Sequence, residues 1–278
     1  MYYGIIIALA MMSGYFLVLF IAKKTNQNSD DYVDLFLIIM ICAIIGARAY
    51  YVIFNWDYYE IRPYEILDVR KGGLAVFGGI ILCIIALIVF CLRRKLNFFK
   101  LADTSVLGLL LGQAIGRYGN FFNMEAFGTY TNNVFAMRML YDKVDSSSVD
   151  MNMMMNMINE NGVSYVQAHP TFFYESSLNL ILLIILIILF FKFNNFLGQT
   201  FASYLVGYGV IRFFIEGLRT DSLMFLKTNI RVSQVVSIIF IVIGILMIIY
   251  NVTPMKSFVK KIFVKNKKKI NIKIEEEK

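Results

Sequence analysis

The sequence predicts an all-α integral membrane protein with seven transmembrane helices. Hydrophobic residues make up 59% of the 278 residues and charged residues only 17%, whereas soluble domains have about 45–50% apolar and about 25% charged residues. The mean hydropathy is +0.66, and the apolar residues are gathered in long blocks. Each block is long enough to cross a hydrocarbon core of about 30 Å.

The blocks follow one another with mostly short connections. The first block is followed at once by Lys23-Lys24 and has no basic region before it, so we expect a retained span rather than a signal peptide. Cys42, Cys83 and Cys91 lie inside apolar blocks and are interpreted as small hydrophobic residues. The single histidine excludes a multi-histidine metal site. The seven predicted spans are residues 3–22, 35–55, 73–92, 101–122, 176–194, 199–218 and 232–250.

The loop charges predict the orientation. Lysines and arginines accumulate in cytoplasmic loops, and the C-terminal tail alone has nine lysines. This tail is therefore expected inside, and the N-terminus outside. We interpret the tail as a topology signal in contact with anionic lipid, rather than as a nucleic-acid-binding segment. The predicted division is a seven-span domain over 1–250 and a basic cytoplasmic tail over 251–278.

One connection, between the fourth and fifth spans, is much longer than the others. It covers about residues 123–175 and contains the methionine-rich piece MNMMMNMINENG. Loops of this length are usually functional or disordered. We expect a small extracytoplasmic head with one or two short elements.

Ionisable residues recur at the predicted outer ends of the spans. In the sixth span, Arg212, Glu216 and Arg219 fall at roughly 0°, 40° and −20° around a helix, which is a narrow stripe. Charged groups at membrane depth normally face a polar interior or a partner. This stripe has a net positive charge, and guanidinium groups suit phosphate because they form bidentate, charge-assisted hydrogen bonds.

The fourth span ends in GRYGNFFNMEAFG, from Gly116 to Gly128. Arg117 and Asn120 share a helical face, but Asn123 and Glu125 spread over roughly 200° of arc. A regular helix would point some of these groups at lipid. We therefore expect the helix to end or unwind near residues 119–123 and its polar groups to line a cavity.

Several features have structural explanations as well. The spacing of Gly108, Gly112 and Gly116 favours a helix-packing seam over a binding loop. The glycines of GGLAVFGG (residues 72–79) would suit either close helix packing or a lipid head group. His169 could brace a loop or act in chemistry, and Arg48 could be a structural partner for a carboxylate.

These motifs together resemble one family. GRYGNFFNMEAFG is similar to the GRxGNFxNxExxG signature of the prolipoprotein diacylglyceryl transferases. Four further segments resemble the same family in the same order, and the matches span nearly all of the predicted membrane region. They are YYG near the N-terminus, GGLAVFGG, HPTFFYE (169–175) and IRFFIEGLRTDSL (211–223).

The resemblance implies a seven-span enzyme of the bacterial cell membrane with its active site facing outward. The family transfers the diacylglyceryl group of phosphatidylglycerol to the lipobox cysteine of a prolipoprotein, forming a thioether and releasing glycerol 1-phosphate. It implies no metal and no organic cofactor. The residues implied as catalytic are Arg117, Arg212, Glu125 and Tyr3. Those implied in lipid binding are Arg117, Asn120, Asn123, Gly128, Arg212, Glu216, Arg219, Gly78 and Gly79.

One position departs from the family. Some members have a histidine, proposed as the base for the thiol, where this chain has Phe77. A phenyl ring accepts no proton, so we hypothesise that Arg212 and Arg219 lower the thiol pKa. Glu125, Tyr3 or His169 would then accept the proton.

Two other functions stay open on the residues alone. An anionic-lipid transporter or scramblase would explain intramembrane arginines, but it predicts polar residues that continue to the inner side. A non-catalytic assembly subunit would not need the stripe of Arg and Glu.

Overall fold

The computed structural model describes residues 2–68, 72–222, 224 and 230–252. Within these ranges it has seven helices that are long and apolar enough to cross a membrane. The chain forms two compact units. One is Tyr15–Ser105, and the other joins the residues up to Gly14 with those from Val106 onward.

The seven predicted spans are confirmed as helices, and the predicted seventh span ends two residues short of α9. The second helix differs more, because it begins six residues before the predicted span. The observed bounds are α1 Tyr2–Lys24, α2 Ser29–Phe54, α4 Val76–Arg94, α5 Phe98–Asn123, α7 Thr171–Lys192, α8 Gln199–Leu218 and α9 Val232–Val252. Of the predicted basic tail, 251–278, the residues from 253 onward lie outside the described part of the chain.

In the unit Tyr15–Ser105, α2 packs along α4. The early start of α2 brings carboxylates to the end of α4. Arg94 Nη1 lies 2.8 Å from Asp31 Oδ1, and Arg94 Nη2 lies 2.5 Å from Asp34 Oδ2. The Asn28 side chain caps the helix by accepting from the Asp30 N–H.

Arg48 is buried in the same unit and organises the connection after α2. This connection contains the short helix α3, Trp56–Ile61, and a 3₁₀ turn over Pro63–Leu67. The Arg48 guanidinium donates to five backbone carbonyls, those of Glu65, Ile66, Asp68, Gly72 and Gly73, at 2.6–3.1 Å. Arg48 thus has a structural role, as one alternative from the sequence held, and these five hydrogen bonds go to backbone oxygens.

In the other unit, α1 and α5 pack through small residues. The backbones of Gly14 and Gly108 are so close that a Cβ on Gly14 would overlap the Gly108 carbonyl. A Cβ on Gly112 would lie 3.3 Å from the Ala10 carbonyl oxygen. The predicted glycine seam of α5 is confirmed as a helix-packing surface, consistent with the close approach that small residues permit. In the same unit, α8 packs against both α7 and α9.

The segment between α5 and α7 has more secondary structure than the one or two elements that we expected. Strands β1 (Met137–Leu140), β2 (Ile158–Glu160) and β3 (Val163–Ala168) form an antiparallel sheet with β3 in the centre. We call residues 124–170 the head.

The head has its own hydrophobic core. It is built by side chains from the sheet, from the connecting turns and from helix α6 (Met151–Met155), with Met153 and Val166 fully buried. The methionine-rich piece thus supplies core packing. The other buried members are Phe127, Met139, Val144, Val149 and Ala168.

Strands β2 and β3 are joined by a two-residue turn. Asn161 and Gly162 both have positive φ, at 52° and 78°. Two consecutive positive φ values are the requirement of a type I′ hairpin turn, in which Asn-Gly is the favoured pair. The turn is exposed, and no atom lies near the space that a Gly162 side chain would occupy.

Candidate active site

Two arginines that are far apart in the sequence share one buried carboxylate. Arg117 Nη2, near the end of α5, lies 2.7 Å from Glu175 Oε1. Arg212 Nη1, on α8, lies 3.0 Å from Glu175 Oε2. The Glu175 side chain is 1% exposed, whereas the two arginines are 20% and 15% exposed. Glu175 therefore holds both guanidinium groups together while leaving each partly open.

The pairing continues along α8 to its end. Arg212 Nη2 lies 2.5 Å from Oε2 of Glu216, one helical turn later. Arg219 Nη1 lies 3.9 Å from the same oxygen, and Arg219 binds Asp221 through two hydrogen bonds of 2.9 Å. The predicted stripe of Arg212, Glu216 and Arg219 thus exists as one continuous ion-pair network. We call it, with Arg117 and Glu175, the arginine cluster.

The stripe itself has the expected net positive charge, with two arginines and one glutamate. The fold adds Arg117 together with the carboxylates of Glu175 and Asp221, and the Arg231 guanidinium donates to the Glu216 carbonyl. Carboxylates therefore already pair with each arginine of the cluster. Any anion that enters must compete with carboxylates already in place.

Donors remain for such an anion. A guanidinium has five N–H groups. Arg212 uses two of its nitrogens on Glu175 and Glu216. Arg117 donates to Glu175 and, at 3.4 Å, to Asn120, and it also contacts the Tyr208 hydroxyl. Each arginine therefore has N–H groups beyond those that its described partners occupy.

Helix α5 ends at Asn123, which agrees with the expected end of the helix. Met124 and Ala126 then adopt positive φ, 53° and 58°, so Glu125 lies beyond the helix. The spread of roughly 200° calculated for a continuous helix therefore does not force Glu125 toward lipid. Glu125 Oε1 accepts from Asn120 Nδ2 at 2.8 Å. Asn120 thereby connects Arg117 to Glu125 in one hydrogen-bonded chain.

Beyond this chain lies a polar cavity of about 480 Å³. Its wall comes from three places: the end of α5, the turn after α8 and one turn of the head. The lining residues are Asn123, Met124, Glu125, Lys143, Asp145, Ser147, Ser148 and Asp221. The expectation that the polar end of α5 lines a cavity agrees with this arrangement for Asn123 and Glu125.

A short backbone ladder, formed by residues 127–129, fixes the end of α8. Gly128 bridges Arg219 in antiparallel fashion, and Thr129 N–H donates to the Leu218 carbonyl at 2.9 Å. Gly128 N–H also donates to the His169 carbonyl at 2.9 Å. A Cβ on Gly128 would lie 2.8 Å from the His169 Cβ, so only glycine lets the three segments meet. Gly128 positions Arg219 through the backbone.

His169 is held through its backbone and through its ring. Its backbone N–H donates to the Thr129 carbonyl at 3.0 Å, and its ring Nδ1 lies 3.3 Å from the Tyr174 hydroxyl. Partial burial lowers the pKa of His169, so the ring is neutral at pH 7. This position corresponds to the loop-bracing alternative.

Tyr3 belongs to the same unit as the arginine cluster. Its ring packs on Gly119, where an added Cβ would lie 3.0 Å from the Tyr3 ring. Tyr3 is close enough to Glu125 and Arg117 to interact with their charges. The N-terminal tyrosine therefore lies beside the predicted site residues of α5.

Gly78 and Gly79 belong to the unit Tyr15–Ser105, as does Phe77. Both glycines are buried against α2: a Cβ on Gly79 would lie 3.0 Å from the Ala43 carbonyl, and one on Gly78 would overlap Gly46. Of the two interpretations of GGLAVFGG, the observed contacts correspond to close helix packing. Lipid binding by these two glycines stays a prediction.

The sequence reasoning missed Glu175 as a site residue. It quoted HPTFFYE as a motif but assigned no role to its last residue. The available signal was a carboxylate directly before the predicted span at 176; the helix in fact begins at Thr171 and buries it, and a buried charge needs a partner. The partners, 58 and 37 residues away, follow only from the packing of α5, α7 and α8.

Comparisons with known proteins identify the family of this chain. The profile of the family described as "Prolipoprotein diacylglyceryl transferase" matches residues 1–250. The chain is 41% identical over 247 residues to the phosphatidylglycerol–prolipoprotein diacylglyceryl transferase of Finegoldia magna, covering 89% of each chain. It is 42% and 43% identical over 249 residues to the proteins of the same name from Bacillus mycoides and Bacillus cereus, covering 89% of this chain and 86% of theirs.

All three relatives are bacterial. Together with the seven apolar helices, this identifies a multi-pass protein of the bacterial cell membrane. On the extent of both matches, the chain belongs to the prolipoprotein diacylglyceryl transferase family.

Proposed function

We propose that this protein transfers the diacylglyceryl group of phosphatidylglycerol to the lipobox cysteine of prolipoproteins. One observation carries the assignment of the site: Arg117 and Arg212 bind the two oxygens of the same buried carboxylate, at 2.7 and 3.0 Å. Two guanidinium groups at this separation suit the two oxygens of a phosphodiester as well as those of a carboxylate. The names of the relatives support the substrates.

In the reaction, the cysteine sulfur attacks the glycerol carbon that bears the phosphate. A C–S bond forms, the C–O bond breaks, and its electron pair leaves with the phosphate oxygen of glycerol 1-phosphate. The leaving phosphate gains one negative charge. Arg117 and Arg212 would stabilise that charge as it develops, because they are already oriented and partly shielded from water.

The pairing of the arginines with carboxylates affects how the thiol loses its proton. Arg212 is paired with Glu175 and Glu216, and Arg219 is paired with Asp221 through two hydrogen bonds. Their fields are therefore largely compensated and would lower a thiol pKa of about 8.5 only slightly. This argues for a dedicated proton acceptor.

Glu125 is the acceptor that we favour among the three candidates. Its carboxylate is exposed, lines the polar cavity and joins Arg117 through Asn120. The His169 ring faces Tyr174, and a tyrosine hydroxyl has a reference pKa of about 10, which makes it a poor base at neutral pH unless first ionised. The attacking sulfur and the leaving phosphate lie on opposite sides of the glycerol carbon, so the proton would pass from the thiol through water to a Glu125 oxygen.

The outward orientation of the site remains part of the proposal. It rests on the lysine and arginine distribution of the loops, which puts the N-terminus, the head and the end of α5 on the outer side. A prolipoprotein emerging from the membrane would meet the site there, and phosphatidylglycerol would enter from the lipid.

The test uses the purified full-length protein with phosphatidylglycerol and a lipobox peptide. We expect a hydroxylamine-resistant lipid adduct on the peptide cysteine, because a thioether survives that reagent and a thioester does not. Arg117→Ala and Arg212→Ala should remain membrane-inserted and form no adduct. Lipid translocation without any adduct would instead support the transporter, and wild-type turnover in both variants would refute the assignment.

A further inference from the structure

The polar cavity lies beside the arginine cluster, at the end of α5, on the side of a bound phosphodiester that faces away from the apolar part of the span. From Arg117 to Asn123 the chain advances about 9 Å along α5, at about 1.5 Å per residue, toward the end of the helix. The diacylglyceryl side of the lipid must point the other way, into the apolar part of the span. The substituent on the opposite side of the phosphate is then directed at the cavity.

Two chains of polar contacts, one of hydrogen bonds and one that includes an ion pair of 3.9 Å, lead from the arginine cluster to the cavity wall. One runs from Arg117 through Asn120 to Glu125. The other runs from Glu216 through Arg219 to Asp221. Both end on residues that line the cavity. The cavity therefore adjoins the cluster through groups that are already fixed.

The third part of the wall is a turn of the head, Lys143–Ser148, which lies outside the motifs of the signature. Val144 and Val149 anchor this turn in the head core. Asp145 fixes it further by accepting the Ser147 N–H at 3.0 Å, and hydrogen bonding lowers the pKa of its carboxyl. Lys143 is exposed on the turn and makes no ion pair with the described residues, so its ammonium is available to a ligand.

The lining suits the hydroxyl groups of a small polyol. Its three carboxylates, Glu125, Asp145 and Asp221, outnumber its one ammonium, Lys143, so a phosphate bound beside it depends on Lys143 and on the neighbouring arginines. Carboxylates accept from hydroxyl groups, serine hydroxyls both donate and accept, and lysine binds a phosphate as a point charge. Glycerol phosphate has ten non-hydrogen atoms. At the roughly 30 Å³ that a water molecule occupies in the liquid, ten atoms of this kind need about 300 Å³, which the 480 Å³ cavity accommodates.

We propose that this cavity binds the glycerol head group of the phospholipid and then the glycerol phosphate that leaves, with Lys143 and the Ser147–Ser148 hydroxyls as its contacts from the head. The proposal rests on the proposed transferase function and names the part of the site that recognises the lipid. It assigns the head a direct role in substrate choice.

The first experiment compares Lys143→Met with Arg138→Met in the full-length protein. Arg138 is also an exposed cation of the head, paired with Glu160 at 3.2 Å, but it does not line the cavity. We expect Lys143→Met to raise the KM for phosphatidylglycerol about tenfold, the loss typical of one hydrogen bond to a charged group. The KM for the lipobox peptide and the thermal stability should not change, and Arg138→Met should match the wild type.

The second experiment varies the head group. The wild type should use phosphatidylglycerol better than phosphatidylpropanol, which lacks both hydroxyls. Replacing Ser147 and Ser148 together by alanine should reduce that preference several-fold, measured as the ratio of kcat/KM for the two lipids. Glycerol 1-phosphate should inhibit the wild type about tenfold more strongly than it inhibits Lys143→Met.

The outcomes separate the two proposals. If the wild type forms no adduct, the transferase assignment itself fails. If the wild type is active and Lys143→Met equals Arg138→Met, the cavity proposal fails alone. It also fails if Lys143→Met raises only the KM for the peptide, because the cavity would then bind the prolipoprotein instead of the lipid head group.

Discussion

Replacing Glu175 by glutamine would remove the charge that holds Arg117 and Arg212 together. The side chain keeps nearly the same shape, so packing around α7 is preserved. Breaking a buried ion pair by neutralising one partner typically costs about 3–5 kcal/mol. Since the two arginines are 20% and 15% exposed, water reaches their outer sides, and we expect the lower end, about 3 kcal/mol.

This loss should be visible in thermal unfolding of the detergent-solubilised protein. For chains of about 150–250 residues, 1 kcal/mol corresponds to about 2–4 °C in Tm, so Glu175→Gln should lower Tm by about 6–12 °C. Adduct formation should fall at least tenfold, because neither guanidinium remains oriented. Glu160→Gln breaks the exposed pair with Arg138 and provides the control, with an expected change of at most about 1 kcal/mol.

A double-mutant cycle distinguishes loss of the ion pair from general damage to the fold. If Glu175 acts through Arg117, the Arg117→Met and Glu175→Gln changes should fall short of additivity by about 1 kcal/mol or more. Additive effects, or a Tm of Glu175→Gln within 1 °C of the wild type, would refute the reasoning.

Four further predictions follow from the site. Arg117→Lys and Arg212→Lys should each lose about 10²-fold or more in turnover while remaining folded, since an ammonium lacks the planar fork; kinetics of adduct formation would measure this. Gly128→Ala should lower stability by about 1–3 kcal/mol and reduce activity, because the new methyl would meet the His169 Cβ at 2.8 Å; thermal unfolding and turnover would both report it. Phe77→His should raise activity near neutral pH if deprotonation of the thiol limits the rate, and an unchanged pH–rate profile would argue against that limit. Burial lowers the pKa of His169, so below pH about 6.5 the unfolded chain binds a proton more readily than the folded chain, and the free energy of unfolding decreases as the pH is lowered. In thermal unfolding at several pH values, His169→Gln should show a weaker decrease in this range.

Most of the fold was accessible from the sequence because lipid imposes a strict rule. A spanning segment must be apolar and helical, so the long apolar runs gave the helices to within a few residues. The exceptions were the starts of α2 and α7, which lie six and five residues before the predicted spans. In α2, Asp31 and Asp34 lie inside the helix and pair with Arg94, and α7 includes Glu175. A hydropathy pattern excludes such charged residues from a span.

The site was only partly accessible. Arg212 and Glu216 could be placed together because one helical turn relates them. Glu175 could not be connected to Arg117 by any spacing rule, since the pairing depends on how α7 packs beside α5 and α8. The head was underestimated for a similar reason: its strands have only three to six residues and helix α6 only five, which is too short for a clear periodic pattern. Its core forms only when separate segments meet around Met153.

The Asn161–Gly162 turn has a practical consequence. It is the exposed tip of a hairpin whose strands are held by their own cross-strand pairs. The backbone ladder that fixes the end of α8 is made by residues 127–129, which are far from this tip in the sequence. Loop tips of this kind accept added sequence. An epitope or fluorescent reporter inserted there would therefore label the enzyme in living cells, and access of an antibody to intact cells would reveal on which face of the membrane the catalytic machinery operates.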